Sequence, residues 1–315
     1  MKRLRALLLL AFTALGGVAL LVSRSDANPE TLRLIVPGVW FREGDMDQGH
    51  CNNIIIEMKA YLIVVDANYP SGARGAMADA KRLSSKPVKY VFDTHHHGDH
   101  LYGNPVWTQA GATTLAFKEV GEELKRFEPA RWQAAAKTRS DVAELKRDGP
   151  EPPKQDINEA IYVLNDGSRK VEFHHFGWAH TRGDGFVYLP KDQVLCSGDA
   201  AVNGPYNNTA DANIGNWPLV LHTAEKLKIK YVLPGHGLPA GRELLAGQAQ
   251  FMTELHKAVK AGIDQGKKME ELQASIRLPD AVSTWVGESS LKNQVRDAYE
   301  EISKGKPRGE LGARN

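Results

Sequence analysis

The 315-residue chain carries 40 Lys and Arg against 38 Asp and Glu, a formal net charge of +2, and 42% of its residues are hydrophobic. A disordered chain would be poorer in apolar residues and more lopsided in charge, and a nucleic-acid binder that relies on phosphate contacts would show a basic excess; both classes are excluded. With 29 Gly and 16 Pro spread along the chain and only 2 Cys, collagen-like and disulfide-scaffold chains are excluded too.

The N-terminus reads as an export signal. Lys2, Arg3 and Arg5 precede an apolar run over residues 6–22, and Ser23-Arg24-Ser25-Asp26-Ala27 follows it. That is the charged, apolar and small-residue order of a secretory signal peptide. Cleavage after Ala27 is expected, giving a signal peptide over 1–27 and an exported mature protein, periplasmic or secreted. The alternative is an uncleaved anchor, the one route by which this chain would meet a membrane.

Extended, β-branched runs follow at residues 32–36, 53–58, 61–66 and 88–93, with a surface helix over 71–83 ended by Ser84-Ser85-Lys86-Pro87. Residues 118–148 read as helix, with Val120, Leu124 and Phe127 on one face and Pro129 interrupting it. Strands resume at 161–164, 169–175, 185–189 and 193–197, then a helix at 219–227 and a strand at 230–233. Beyond Gly241 the pattern is helical, with Phe251, Leu255, Val259 and Ile263 at i, i+4 spacing. Strands with interspersed helices, twice over, predict an α/β arrangement of two sheets packed face to face and covered by helices. Cys196 lies in an apolar strand, where a buried free thiol is the default. An oxidising compartment makes a Cys51–Cys196 disulfide the alternative.

Chemistry concentrates in Thr94-His95-His96-His97-Gly98-Asp99-His100, directly after the strand at 88–93. In an extended chain His95 and His97 project to one side and His96 to the other. Gly98 lets the loop curl, so that Asp99 and His100 face the same space from another direction. Two sets of nitrogen and oxygen ligands so close in sequence suit two adjacent cations, a better account than a solvated polar loop. Elsewhere, adjacent His174 and His175 in a strand and His222 and His256 in helices read as packed or solvated. His50, just before Cys51-Asn52-Asn53, is a candidate substrate contact.

The spacing His-x-His-x-Asp-His at a strand end resembles the signature of the metallo-β-lactamase-fold hydrolases. Their other motifs follow in order: Asp66 closing Leu62-Ile63-Val64-Val65-Asp66, His180 in Ala179-His180-Thr181-Arg182-Gly183-Asp184, Asp199 in Ser197-Gly198-Asp199, and His236 in Pro234-Gly235-His236-Gly237. The resemblance covers residues 32–240. It implies a four-layer αββα sandwich, with a catalytic domain over 28–240 and a helical C-terminal extension over 241–315 packed on it. It also implies that His95, His97 and His180 hold one metal, that Asp99, His100 and His236 hold a second, and that Asp199 bridges them. Asp66 would orient the histidine loop from behind. Three imidazoles with an open fourth position form the ligand set of catalytic zinc. Two Zn²⁺ per chain are expected, and the ligand types are also compatible with Fe or Mn. Asp99 is the candidate catalytic carboxylate, placed to orient a metal-bound hydroxide or relay its proton.

Departures from the family narrow the reading. The histidine loop looks like that of glyoxalase II, but the Gly-Cys-Gly-Arg element that follows the bridging Asp in those enzymes and in persulfide dioxygenases is replaced by Ala200-Ala201-Val202-Asn203-Gly204-Pro205. Zinc β-lactamases place Cys where Asp199 stands and Lys where Val202 stands. The chain looks most like the exported zinc hydrolases grouped around sulfur oxidation and quinoprotein relays. The expected function is therefore hydrolysis of an ester, thioester, lactone or similar acyl bond of a small molecule. The alternatives are a zinc β-lactamase, an iron-dependent sulfur oxygenase and a non-catalytic metal-dependent binder. Residues 203–217, rich in Asn and Gly, are expected to form a substrate-facing loop, with Asn203, Trp217 and, beside His180, Arg182 as contacts.

Overall fold

The β-branched runs pair as a seven-stranded sheet: β1 (Leu32–Val36), β2 (Val39–Arg42), β3 (Asn53–Glu57), β4 (Leu62–Val65), β5 (Val88–Phe92), β6 (Thr113–Phe117) and β7 (Gln155–Ile157), in that spatial order. Pairing is antiparallel up to β4 and parallel from β4 to β7. Parallel neighbours need crossovers. They are supplied by α1 (Pro70–Leu83), by the short α2 (Gly98–Leu101) and α3 (Asn104–Gln109), and by α4 (Lys118–Thr138) with α5 (Ser140–Ala143). The second sheet holds β8 (Ile161–Asn165), β9 (Lys170–His174), β10 (Phe186–Leu189), β11 (Val194–Gly198) and β12 (Tyr231–Pro234), in the order β12-β11-β10-β9-β8. There α6 (Trp217–Ala224) makes the one parallel crossover, between β11 and β12. After β12 come α7 (Glu243–Asp264), α8 (Met269–Ser275) and α9 (Glu288–Lys304). This computed structural model describes residues 32–312. The expected signal peptide over 1–27 lies outside them, as do the first residues of the 28–240 domain and residues 313–315.

Period-two alternation sorts side chains into layers. Ile54, Ile56, Ile63 and Val65 face inward, against Phe173, Val187, Leu189 and Val194 of the second sheet. Ile55, Leu62 and Val64 face outward, against Ala73, Ala76 and Trp107 of the first helical layer. The outer face of the second sheet, with Phe186, Leu195 and Val232, is covered by Trp217, Leu221, Leu245, Phe251 and Leu255. The architecture is αββα, with the helical C-terminal region packed on the second sheet. No helix among the described residues is long and apolar enough to cross a membrane.

Two sequence expectations need correction. Pro129 does not interrupt its helix, because α4 runs through it. An interior proline costs about 3 kcal/mol, and burial of Val120, Leu124, Phe127 and Trp132 on this helix, at about 1.5–3 kcal/mol each, outweighs that. Strands β2, β6 and β7 are additional; at three to five residues each they carry too little alternation to be told from loop. Cys51 and Cys196 are both free and buried, the default expectation for them, and the alternative disulfide is absent; burial pushes the Cys51 thiol up to about 12, so it stays protonated.

Candidate metal centre

The ends of β4, β5, β11 and β12, together with the β9–β10 loop, meet at one edge of the sandwich. There they bring together the side chains of His95, His97, Asp99, His100, His180, Asp199 and His236. In a first group the ligating atoms of His95, His97 and His180 lie within 4.8 Å of one another; in a second, so do those of Asp99, His100 and His236. Asp199 stands between the groups. Its Oδ1 is 3.4 Å from His100 Nε2, and its Oδ2 is 3.5 Å from His236 Nε2 and 3.9 Å from His180 Nε2. The turns permit this only with glycine. Gly198 (φ +50°) would set a Cβ 2.5 Å from Thr94 Oγ1, and a Cβ on Gly235 would strike the Asp199 carboxylate.

Hydrogen bonds fix the first group's protons. His180 Nδ1 donates to the Asn208 carbonyl (2.9 Å), which can only accept, so His180 Nε2 is bare. His97 Nε2 donates to the Asp211 carboxylate (2.9 Å), which turns His97 Nδ1 into the group. His97 Nδ1 and the bare His180 Nε2 face each other at 3.0 Å. His95 Nε2, in the same group, is buried without a hydrogen-bond partner. Burial and the neighbouring imidazoles hold His95 well below the usual histidine range and push His180 down to about 3. A bare nitrogen on His180, the ring nitrogen of His97 that faces it and the orphaned one on His95 fit a cation accepting all three.

The second group is built on charge. Burial alone would lower His100, yet Cys51, Asp199, Asp66 and Asp99 around it outweigh that and hold it well above its usual value. His236 is raised likewise, with Asp199 and Asp99 outweighing burial. Asp99 is held well below the usual carboxylate range because His100 and His236 overcome its burial. Two carboxylates here demand positive charge, and a divalent cation meets that demand as well as protons do. Asp66, in the left-handed region at φ +66°, accepts from His100 Nδ1 (2.9 Å) and from Thr94 N (2.8 Å), which turns His100 Nε2 toward the centre.

Asp211 is the residue that sequence reasoning missed. It is buried, takes both arms of Arg131 (2.7 and 2.8 Å) and accepts from His96 Nε2 (3.1 Å) as well as His97. These donors overcome the cost of its burial and hold the carboxyl ionised. The one available signal was an acid inside the Asn-rich loop over 203–217, and sequence does not tell a buried carboxylate from a solvated one.

A cleft of about 500 Å³ opens over both groups, lined by Tyr69, His97, Asp99, Tyr102, Glu128 and Arg131 among others. Of the four residues expected to touch substrate, none lines it. Trp217 is a correction: it is fully buried, its indole donates to Ala200 O and its ring lies 5.6 Å from that of His180. Arg182 is ion-paired with Glu122 (3.0 Å) and Glu123 (3.6 Å) of α4. Asn203 donates to Leu238 O. His50 Nε2 is 2.8 Å from Ser71 Oγ, and burial lowers its pKa. The loop that carries His50 does reach the centre, through Asn52 N to Gly235 O (2.8 Å) and Met46 Sδ at 3.4 Å from His236 Nδ1.

Comparison with known proteins agrees with this fold. A sequence profile described as the Metallo-beta-lactamase superfamily matches residues 46–236. A "Metallo-beta-lactamase type 2" of Bacillus cereus is 28% identical over 201 residues, which cover 62% of this chain and 70% of that protein. One of the same name from Bacteroides fragilis is 27% identical over 117 residues, 35% of this chain and 45% of that one. Among solved structures, a metallo-beta-lactamase from Pontibacter korlensis superposes with a TM-score of 0.57 at 21% identity, covering 70% of this chain and 98% of that one. A stereoselective inverting sec-alkylsulfatase from Pseudomonas sp. reaches a TM-score of 0.69 at 19% identity, over 86% of this chain and half of that one. At such identities the two structures speak to the fold alone.

Proposed function

The chain belongs to the metallo-β-lactamase superfamily, and we propose from that premise that it is an exported binuclear zinc hydrolase of an activated acyl bond, an ester, thioester or lactone. Membership makes it a metal-dependent hydrolase of small molecules; the count of two, the zinc, the export and the acyl class are our reading. The observation that carries the count is the contrast at the centre. A trio of imidazoles with two ring nitrogens facing each other at 3.0 Å adjoins a trio with its own carboxylate, which demands positive charge.

In this reading His95, His97 and His180 hold one cation, Asp99, His100 and His236 hold the other, and Asp199 lies between. Two such cations supply Lewis acidity and lower the pKa of water toward about 7. Asp99 is the acid turned most toward the cleft, its side chain 24% exposed against 8% for Asp199. It is therefore placed to orient water and to take its proton at a carboxylate oxygen. Tyr69, also lining the cleft, has its hydroxyl raised by burial and by Asp99, so it stays a hydrogen-bond donor to the substrate. Export rests on Lys2, Arg3, Arg5 and the apolar run over 6–22, and kinship with the sulfur-oxidation and quinoprotein-relay hydrolases rests on the motifs alone.

The acyl class rests on which charges the cleft lacks. Arg131 is the one Lys or Arg among its described lining residues, and Asp211 and Glu128 neutralise it. Val202 is fully buried, and Arg182 is tied to α4. A substrate carboxylate, as in a β-lactam, finds no unpaired cation. The test is kcat/KM of the zinc-loaded protein on a thioester, a lactone, a penicillin and a cephalosporin. The acyl substrates are expected to lead by at least about tenfold, about 1.4 kcal/mol; either β-lactam ranking first contradicts the reading.

A further inference from the structure

The helices after Gly241 lie beyond the part of the chain that matches the family, yet they grip the loop behind the His95/His97/His180 trio. Buried Gln294 Nε2 donates to Asn207 O (2.9 Å), and buried Gln248 Nε2 donates to Asn207 Oδ1 (2.5 Å). Thr209 Oγ1 donates to Asp297 Oδ2 (2.6 Å). The backbone N–H groups of Ile214 and Gly215 donate to the two oxygens of Glu301 (2.9 and 2.7 Å), and Gly309 N donates to Ala212 O (2.9 Å). The gripped positions 207, 209, 212, 214 and 215 bracket Asn208 and Asp211. Those are the residues whose carbonyl and carboxylate set the protons of His180 and His97. The acidic trio has supports that do not pass through α7, α9 or the last turn: Asp66 at the end of β4 behind His100, the 43–52 loop beside His236, and Trp285, whose indole donates to Val202 O (2.8 Å) next to Asn203, the donor to His236 O.

We infer that the C-terminal extension, through α7, α9 and the turn at Arg308–Leu311, is a positioning device for the His95/His97/His180 trio and not for the Asp99/His100/His236 trio. Glu301 and Thr209 are its positioning residues. Neither touches the centre. Each fixes backbone that carries the acceptors for His180 and His97, and a shift of that backbone frees the imidazoles to turn or to exchange tautomers. Burial of the acceptors explains the need for a grip. Asp211 takes four donors, two of them from Arg131, and a shift of its backbone would break several of these buried hydrogen bonds at once.

Glu301→Gln and Thr209→Val, made in the full chain, test this, with Arg277→Ala as a control on the same extension. The first readout needs no metal. Long-range ¹H–¹⁵N NMR of the metal-free protein should show His180 protonated at Nδ1 and His97 at Nε2, and both variants should shift or mix these signals while His100 and His236 keep theirs. The second rests on the binuclear reading. In Zn²⁺ titration against a competing chelator, one binding step should weaken by about tenfold or more, the other should stay within about twofold, and Thr209→Ser should restore the wild-type step. Unchanged His97 and His180 signals in folded variants, or equal weakening of both steps, overturn the inference. A wild type that binds one Zn²⁺ or none fails the binuclear reading instead, and the NMR comparison still decides the role of the extension. Should Glu301→Gln not fold, Thr209→Val, which removes a single hydroxyl, decides between the same two outcomes.

Discussion

The two trios at the centre are built on opposite principles. The His95/His97/His180 trio is all imidazole, with no carboxylate among its ligating atoms, and is oriented by a carbonyl and a carboxylate on a loop held by distant helices. The Asp99/His100/His236 trio is charged, nearer the cleft, and oriented by Asp66 where β4 ends. One is poised by removing protons from nitrogens, the other by gathering carboxylates around them. A pair of cations sharing Asp199 would therefore sit in unlike fields, the first free to polarise and the second to anchor.

The largest expected effect breaks both trios. His95→Ala and Asp199→Ala should each lower kcat/KM by about a thousandfold, about 4 kcal/mol of transition-state stabilisation, read by steady-state kinetics after zinc loading. Next come the supports. Asp211→Asn and Asp66→Asn should each weaken one Zn²⁺ by about 10- to 100-fold, and in chelator competition the affected step should differ between them; the same step weakening in both would erase the distinction.

A smaller effect separates the trios by pH. His95 and His180 are lowered in the folded chain, against an unfolded value of about 6.5. As pH falls below 6.5 the unfolded chain binds more protons, and stability drops by up to about 1.4 kcal/mol per pH unit per group. His50 and His96, also lowered chiefly by burial, add to that slope. His100 and His236 are raised, so below 6.5 they are protonated in both states and add nothing; their contribution is lost as pH rises through their folded values. Asp93 and Asp184, raised by burial, work in the opposite sense over the same range, so the histidine share is read as a difference: from pH 6.5 to 4 the urea midpoint of metal-free His95→Ala should lose less, relative to its own value at pH 6.5, than that of the wild type. The smallest effect concerns Arg182→Ala, expected to leave kcat/KM within about twofold because Glu122 and Glu123 already hold its guanidinium.

How far the sequence carried follows the same division. Of the seven side chains that meet at the centre, His95, His97, Asp99 and His100 were legible from their clustering directly after an apolar strand, and His180, Asp199 and His236 from short motifs that resemble the family's. Asp66 was legible for the same reason. Asp211, Arg131 and Glu128 were not: they meet across 80 residues of chain through a loop with no periodicity. Trp217 was misplaced because an aromatic at a loop's end suits a cleft as well as a core, and only packing under His180 decides. Pro129 was misread because helix propensity carries no information about what the helix buries.

The central claim is that this edge of the sandwich takes two cations in unlike sites. Native mass spectrometry of the full mature protein titrated with Zn²⁺ tests it most directly. The expected result is two bound ions filling in two resolved steps, with the count falling to one in both His180→Ala and His236→Ala. A wild type that saturates at a single ion, or both variants still binding two, would contradict it.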